Sequence, residues 1–232
     1  MYTSNLSKED TAALYMALPP LRREKADRCR GERRTESLAA AALAVYGLES
    51  PPGEIREVSP AELTGGDFLH RLAGWGGDWS PGPGGKPFPR GVPAAGGKRR
   101  FLSLSHTPGI VAVAVGEREI GADVQRLPAA APEVLRKMAE RFHPAERARL
   151  TTLDGHELAG AFCRCWCIKE SIAKLAGGGL PAVLRESIPL ERDGTWTARW
   201  KNRVVAGCLL PVCGGWLAAA WWNDEGKAWE NH

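Results

Sequence analysis

The chain has 232 residues, with 31 lysines and arginines against 27 aspartates and glutamates for a net charge of +4, and 44% of it is hydrophobic. That size and balance suit one compact unit, or two small fused ones, with a real buried core. They exclude a disordered tail or a collagen-like chain.

Near the start, Lys8, Glu9 and Asp10 precede a brief apolar patch, the reverse of a secretory signal with its basic start and apolar middle. A cytoplasmic location is expected. Between residues 21 and 34, LRREKADRCRGERR holds seven basic and three acidic residues, which is the whole of the positive excess. Such a patch attracts phosphates, from nucleic acid, a membrane surface or a phosphorylated cofactor; the same pattern also suits a solvated helix face. Nucleic acid is disfavoured because the cluster lacks interleaved aromatics and no DNA-reading motif follows.

The next segment, ESLAAAALAVYGL, predicts a buried alanine-rich helix ending at Gly47, with Pro51 and Pro52 blocking its continuation. From Gly74 to Gly97 there are nine glycines and five prolines in 24 positions, which predicts a loop or linker. Lys86 sits at its centre, in GGKPFP, where a ligand can lie beside backbone amides; plain connection is the simpler reading.

FLSLSH alternates from Phe101 to His106, IVAVAV is an apolar run from Ile110 to Val115, and IGADVQ follows the polar turn GERE. These predict a hairpin with a neighbouring strand. On that third strand Asp123 and Gln125 share one face, with Ala122 and Val124 on the other. PEVLRKMAERFHPAERARL, with Pro132 in a first-turn position, predicts helix kinked or broken before Pro144. A further helix runs from about His156 to Ala176 and stops at Gly177, Gly178 and Gly179. Its apolar stripe is Cys165, Ile168, Ile172 and Leu175; Trp166, Glu170 and Lys174 share another face. SIPLER, TWTARW, VVAGCLLP and WLAAAWW predict closing strands, the first two around an Asp193-Gly194 turn. The apolar stretch GWLAAAWW has eight residues, far short of the roughly 20 that cross a bilayer. The fold class is α+β with antiparallel sheets.

Cys163, Cys165 and Cys167 read as small buried thiols of a reducing compartment. Their spacing suits soft metals, but on a helix Cys165 points away from the other two, and no CxxC or histidine pair completes four ligands. Magnesium instead takes oxygen, with one or two protein carboxylates beside water and phosphate. Asp123 and Gln125 facing Glu170 fit that, with Lys174 one turn on to balance phosphate charge. By spacing alone, Glu170 and Lys174 equally suit an ordinary helical ion pair. Ser105 and His106 are adjacent on a strand and point to opposite faces, which disfavours a nucleophile with its base. His106 suits a phosphate donor.

FLSLSH, IGADVQRL, FHPAERARL and WCIKESIAKLAGGGL, in that order, resemble the 4′-phosphopantetheinyl transferase superfamily in its larger pseudo-dimeric form, which activates peptide and polyketide synthetases. The resemblance runs from GGKP to the tryptophan-rich tail. Its most specific part is W-x-x-K-E-x-x-x-K with a trailing G-x-G-L, met by Trp166, Lys169, Glu170, Lys174, Gly177, Gly179 and Leu180. Together the ordered motifs outweigh the simple ion pair.

The resemblance implies transfer of 4′-phosphopantetheine from coenzyme A to a serine of an acyl, peptidyl or polyketide carrier protein, releasing 3′,5′-ADP. The cofactor implied is magnesium, with manganese as substitute. Asp123, Gln125 and Glu170 are the implied metal ligands, Glu170 also the base, and Lys174 the phosphate partner. Ser105, His106 and Lys86, with Arg22, Lys25 and Thr35 in the basic segment, are the implied coenzyme contacts. The family's hairpin reads G-x-D-x-E where this chain has Gln125, so the protein's share of site charge falls from three negatives to two. A monomer is implied, with two pseudo-twofold-related halves, each a sheet packed with a long helix, at residues 1–118 and 119–232. Residues 129–138 are the candidate carrier-docking segment. Two rivals remain at this level: a non-catalytic coenzyme A or nucleotide-binding module, and a zinc-stabilised interaction protein built on the three cysteines.

Overall fold

The structure is a computed structural model that describes residues 1–51, 55–81, 86–90, 99–188 and 194–223. It has helices and antiparallel sheets, the α+β class expected.

The N-terminal part begins with β1 (Tyr2–Ser4), α1 (Lys8–Ala17), α2 (Pro20–Asp27) and α3 (Glu32–Glu49). Ser7 opens α1 through a capping box: its hydroxyl accepts from the Asp10 amide at 3.0 Å, while the Asp10 carboxylate accepts from the Ser7 amide at 2.9 Å. The alanine-rich α3 is buried along Leu38–Val45 and forms the spine of the first core. It runs two residues past the expected stop at Gly47. That glycine serves packing rather than termination, since a β-carbon there would lie 2.6 Å from Met1 Cε and 2.9 Å from Val115 Cγ2. Two short helices follow, α4 (Pro60–Thr64) and α5 (Gly66–Ala73).

The Gly/Pro-rich stretch is not wholly loop. β2 (Asp78–Pro81) and β3 (Pro87–Arg90) pair antiparallel, with Trp79 opposite Pro89 and Pro81 opposite Pro87. A two-stranded ribbon tolerates prolines that an interior strand could not, because its outer N–H positions need no ladder partner. Residues 82–85 and 91–97 of the expected loop lie outside the described residues.

β4 (Phe101–Thr107) and β5 (Ile110–Gly116) form the predicted hairpin, and β1 joins the far edge of β5. The third strand, β6 (Ile120–Arg126), belongs to a second sheet of order β6-β9-β8-β7, with β7 (Thr195–Trp200), β8 (Arg203–Val212) and β9 (Gly215–Trp222). The two sheets meet where β4 faces β6, and side chains make the join. Ser103 Oγ accepts from the Ala122 amide at 2.9 Å, and Ser105 Oγ from the Val124 amide at 3.3 Å. The expected division at residue 118 falls in the turn between β5 and β6. Most of the expected SIPLER strand, with Asp193 of its turn, lies outside the described residues; Ser187 and Ile188 are not strand.

α6 (Pro132–Ala139) and α7 (Pro144–Thr151) are separated as Pro144 demands, and α8 (Gly155–Ala176) is the long helix, ending at Gly177 with φ of 67°. A one-turn helix, α9 (Leu180–Val183), follows. Among the described residues no helix is long and apolar enough to cross a membrane.

α8 lies across the second sheet at close range, because a β-carbon at Gly121 would run into the Ser171 carbonyl oxygen and the Leu175 amide nitrogen. Cys163 and Cys167 face the sheet: the Cys167 thiol donates to the Asp123 carbonyl at 3.0 Å and the Cys163 thiol to the Arg126 carbonyl at 3.4 Å. Cys165 leaves the stripe assigned to it and joins the cluster of Phe142, Leu150 and Phe162 on the opposite side of the helix. Lys169 is wholly buried, with Nζ 2.9 Å from Glu146 Oε2 and donating to the Glu186 carbonyl at 2.6 Å.

Candidate active site

Strand alternation puts Asp123 and Gln125 on the α8 side of β6, and helical spacing brings Glu170 and Lys174 to the helix edge above them. Asp123 is 2% exposed, and its carboxylate is held from three elements. Lys174 Nζ donates to Oδ1 at 2.6 Å, Ser105 Oγ to the same oxygen at 2.7 Å, and Gln125 Nε2 to Oδ2 at 2.9 Å. Lys174 also donates to Ser105 Oγ at 2.8 Å. Glu170 stands beside this cluster. Burial first, then the Asp123 charge, push its carboxyl above the ordinary range, while Lys174 pulls it down. A carboxylate raised in this way is a better proton acceptor near neutral pH than a solvated one.

Glu170 and Lys174 form one wall of a cavity of about 750 Å³. Its other walls come from the N-terminal part: Arg22 and Lys25 of α2, Arg33 and Ser37 of α3, Lys86 before β3, and Leu102, Leu104 and His106 of β4. Six of these side chains are basic or imidazole, and Glu170 is the acid among the lining residues. A ligand for such a space carries several negative charges, and Trp79, Ala40, Ala41 and Leu180 supply apolar surface for its uncharged part.

The expected ligand contacts divide. Lys25, Lys86, His106 and Lys174 line the cavity. Lys86 Nζ also donates to the Leu175 carbonyl and lies 3.7 Å from Glu119, which ties the ribbon to α8. Arg22 lines the cavity too, but its guanidinium is engaged by Asp78 and the Trp79 carbonyl, and stacks 3.8 Å from the Trp79 ring centroid. Ser105 is not a lining residue; it is buried in the seam between the sheets, where its hydroxyl serves Asp123 and the Val124 amide. Thr35 borders a separate depression with Leu6, Tyr15 and Arg34. The physical reason is helical phase: Arg33 and Ser37 are one turn apart on the cavity face, and Thr35, midway between them, points away.

Arg33 is the cation that sequence reasoning missed, although it belongs to the basic segment and its spacing with Ser37 and Ala41 marks the inward face. Also missed was Glu36, whose Oε2 lies 2.8 Å from His106 Nδ1. Within an alanine-rich helix it reads as a solvent-facing acid.

Among the described residues no trio of His, Cys, Asp or Glu side chains converges. The acidic donor set is the pair Asp123 and Glu170, with the Gln125 amide on the same strand face. Glu170 lines the cationic cavity, whereas Asp123 and Gln125 are not lining residues; Asp123 is buried, with both carboxylate oxygens engaged by Lys174, Ser105 and Gln125. The two carboxylates have the donor chemistry of a hard divalent ion that shares its remaining positions between water and phosphate oxygens. Gln125 acts here as a donor to Asp123 rather than as a free acceptor.

Residues 119–215 match the family model of the 4′-phosphopantetheinyl transferase superfamily. No curated protein matches the chain significantly. The matched stretch runs from the turn before β6 to the start of β9, and contains Asp123, Gln125, Glu170 and Lys174.

Proposed function

We propose, from the match of residues 119–215 to the family model of the 4′-phosphopantetheinyl transferase superfamily, that the protein transfers 4′-phosphopantetheine from coenzyme A to a serine of an acyl, peptidyl or polyketide carrier protein, leaving 3′,5′-ADP. The observation that carries this is the junction of an Asp123–Lys174–Glu170 cluster with a cavity walled by cations. A nucleotide bearing several phosphates matches that charge, and the cavity's apolar surface suits its uncharged arm.

Lys25, Arg33, Lys86 and His106 bind the phosphates of the nucleotide end. Asp123 and Glu170 would hold a divalent cation, magnesium or manganese in its place. Such an ion supplies charge neutralisation at the pyrophosphate and fixes its orientation. Glu170 takes the proton from the carrier serine hydroxyl, and Lys174 stabilises negative charge growing on the phosphate oxygens. Ser105 and Gln125 keep Asp123 in one rotamer, so the geometry is set before the ligand arrives.

A carrier with an acidic surface meets a net positive protein, so association weakens with added salt. The α6 segment, with exposed Val134 and Met138 among Arg136 and Lys137, is the proposed part of the docking face. We read the chain as a cytoplasmic monomer.

The test is the mass of an apo carrier protein after incubation with the protein, coenzyme A and magnesium. The reading requires a gain of one phosphopantetheine, lost with Glu170→Gln. Tight coenzyme binding with no gain on any of a panel of carriers would instead leave a binding module.

A further inference from the structure

Glu36 is 6% exposed, in the second turn of α3. A buried carboxylate needs a partner, and its ion-pair partner among the described residues is the His106 imidazole, half-exposed at 54% and lining the cavity. The pair joins Nδ1 to Oε2 at 2.8 Å. Nδ1 must therefore carry a proton, because a carboxylate only accepts. Nε2 is the nitrogen left for a ligand.

This fixes the chemistry of the exposed nitrogen. A neutral imidazole has one N–H, and the 2.8 Å contact with the Glu36 carboxylate holds it at Nδ1, so Nε2 presents a bare lone pair that repels a phosphate oxygen. To donate from Nε2 the ring must hold both protons and be a cation.

Resting on the coenzyme A reading, we infer that Glu36 is a positioning residue that makes His106 a phosphate ligand only as imidazolium, so that coenzyme binding is linked to uptake of a proton. The carboxylate orients the ring, excludes the tautomer in which a neutral Nε2–H would donate, and offsets the charge once the proton arrives. The charged groups sharing the cavity with the ring are Arg22 and Lys25 on α2, Arg33 on α3, Lys86 before β3, and Glu170 and Lys174 on α8. A bound polyanion neutralises these cations and accepts from the charged ring; ligand and proton thus arrive together.

Calorimetry of coenzyme A binding near pH 8, in two buffers of different ionisation enthalpy, counts the protons taken up. Wild type takes up a proton fraction that Glu36→Gln loses, because an amide beside Nδ1 permits the neutral Nε2–H tautomer. Affinity falls roughly tenfold in Glu36→Gln, the worth of one hydrogen bond to a charged group. In a His106→Asn background, Glu36→Gln changes neither quantity. Unchanged uptake in Glu36→Gln, or an equal affinity loss in both backgrounds, overturns the inference.

The ¹⁵N shifts of the His106 ring provide a readout without ligand: wild type shows the Nδ1–H form, and Glu36→Gln a mixture. Identical ring spectra would also overturn it. Should wild type bind no coenzyme A, the function proposed above fails, and the ring spectra alone then judge the Glu36–His106 coupling.

Discussion

Ser105→Ala separates two roles for one hydroxyl. Resemblance to the family assigns Ser105 to coenzyme phosphates, whereas the hydroxyl lies in the seam, donating to Asp123 at 2.7 Å and accepting from the Val124 amide at 3.3 Å and Lys174 at 2.8 Å. Its removal leaves the Val124 N–H buried without a partner, a penalty of about 1–3 kcal/mol. The Asp123 carboxylate keeps Lys174 at 2.6 Å and Gln125 at 2.9 Å, so its own loss is smaller. The expected total is about 2–3 kcal/mol, and for a chain of this size Tm falls by about 4–12 °C.

Denaturant unfolding measures the first quantity and coenzyme A titration the second. The seam role predicts reduced stability with coenzyme affinity nearly unchanged, and a kcat that falls more than KM rises, because Asp123 is less firmly held. A phosphate-contact role predicts the opposite: stability within about 0.5 kcal/mol of wild type and affinity down roughly ten- to a hundredfold. That second pattern would refute the assignment of Ser105 to the seam.

Three further outcomes follow from the same geometry. Gln125→Glu restores a third negative charge beside Asp123, so transfer should reach half-saturation at lower magnesium; no tightening would count against a ligand role at this position. Lys169→Met removes the cation from the largely buried Glu146 carboxylate, which keeps the Ile188 amide at 3.2 Å; the cost is about 3–5 kcal/mol in urea unfolding, and a loss below about 1 kcal/mol would show the pair to be dispensable. At pH 8, iodoacetamide should label Cys29 and Cys213 in the folded protein but spare the α8 thiols. Burial pushes Cys163 up to about 12 and Cys165 to about 11, and raises Cys167 well above its usual value; rapid labelling of Cys165, seen by intact mass, would contradict that.

Local pattern was enough for the elements that carry their own signals. Pro132, Pro144 and the glycines after Ala176 bound α6, α7 and α8 where chain chemistry requires it, and the alternation of IGADVQ placed Asp123 with Gln125. Signals with two meanings were less legible. Gly47 looks like a helix stop, but its missing side chain makes room for Met1 and Val115, a tertiary fact. Ser105 of FLSLSH looks like a ligand contact, but its hydroxyl serves Asp123 and the backbone of a strand in another sheet. Lys169 belongs to the recognisable motif around Glu170, but it faces the core, since adjacent helical residues point about 100° apart. Motif membership does not distinguish a residue that reacts from one that holds the helix in place.

The two sides of the cavity differ in how they are known. Asp123, Glu170 and Lys174 lie within the stretch that matches the family, while Lys25, Arg33, Glu36 and His106 lie before it. The proposed phosphopantetheine transfer depends on positioning, so in that reading the acids act only if the cations hold the ligand's far end at the right distance. That distance is set where the two sheets meet, and among the described residues the join is made by side chains, the serine hydroxyls with the buried Asp123 carboxylate and the apolar cluster of Ile110, Ala112, Val124 and Leu217, rather than by a backbone ladder. A side-chain seam can shift by fractions of an ångström when one member changes. Catalysis should therefore be more sensitive to small substitutions at Ser103, Ser105 and Ala122 than to comparable ones in the sheet interior, even where both cost the same stability.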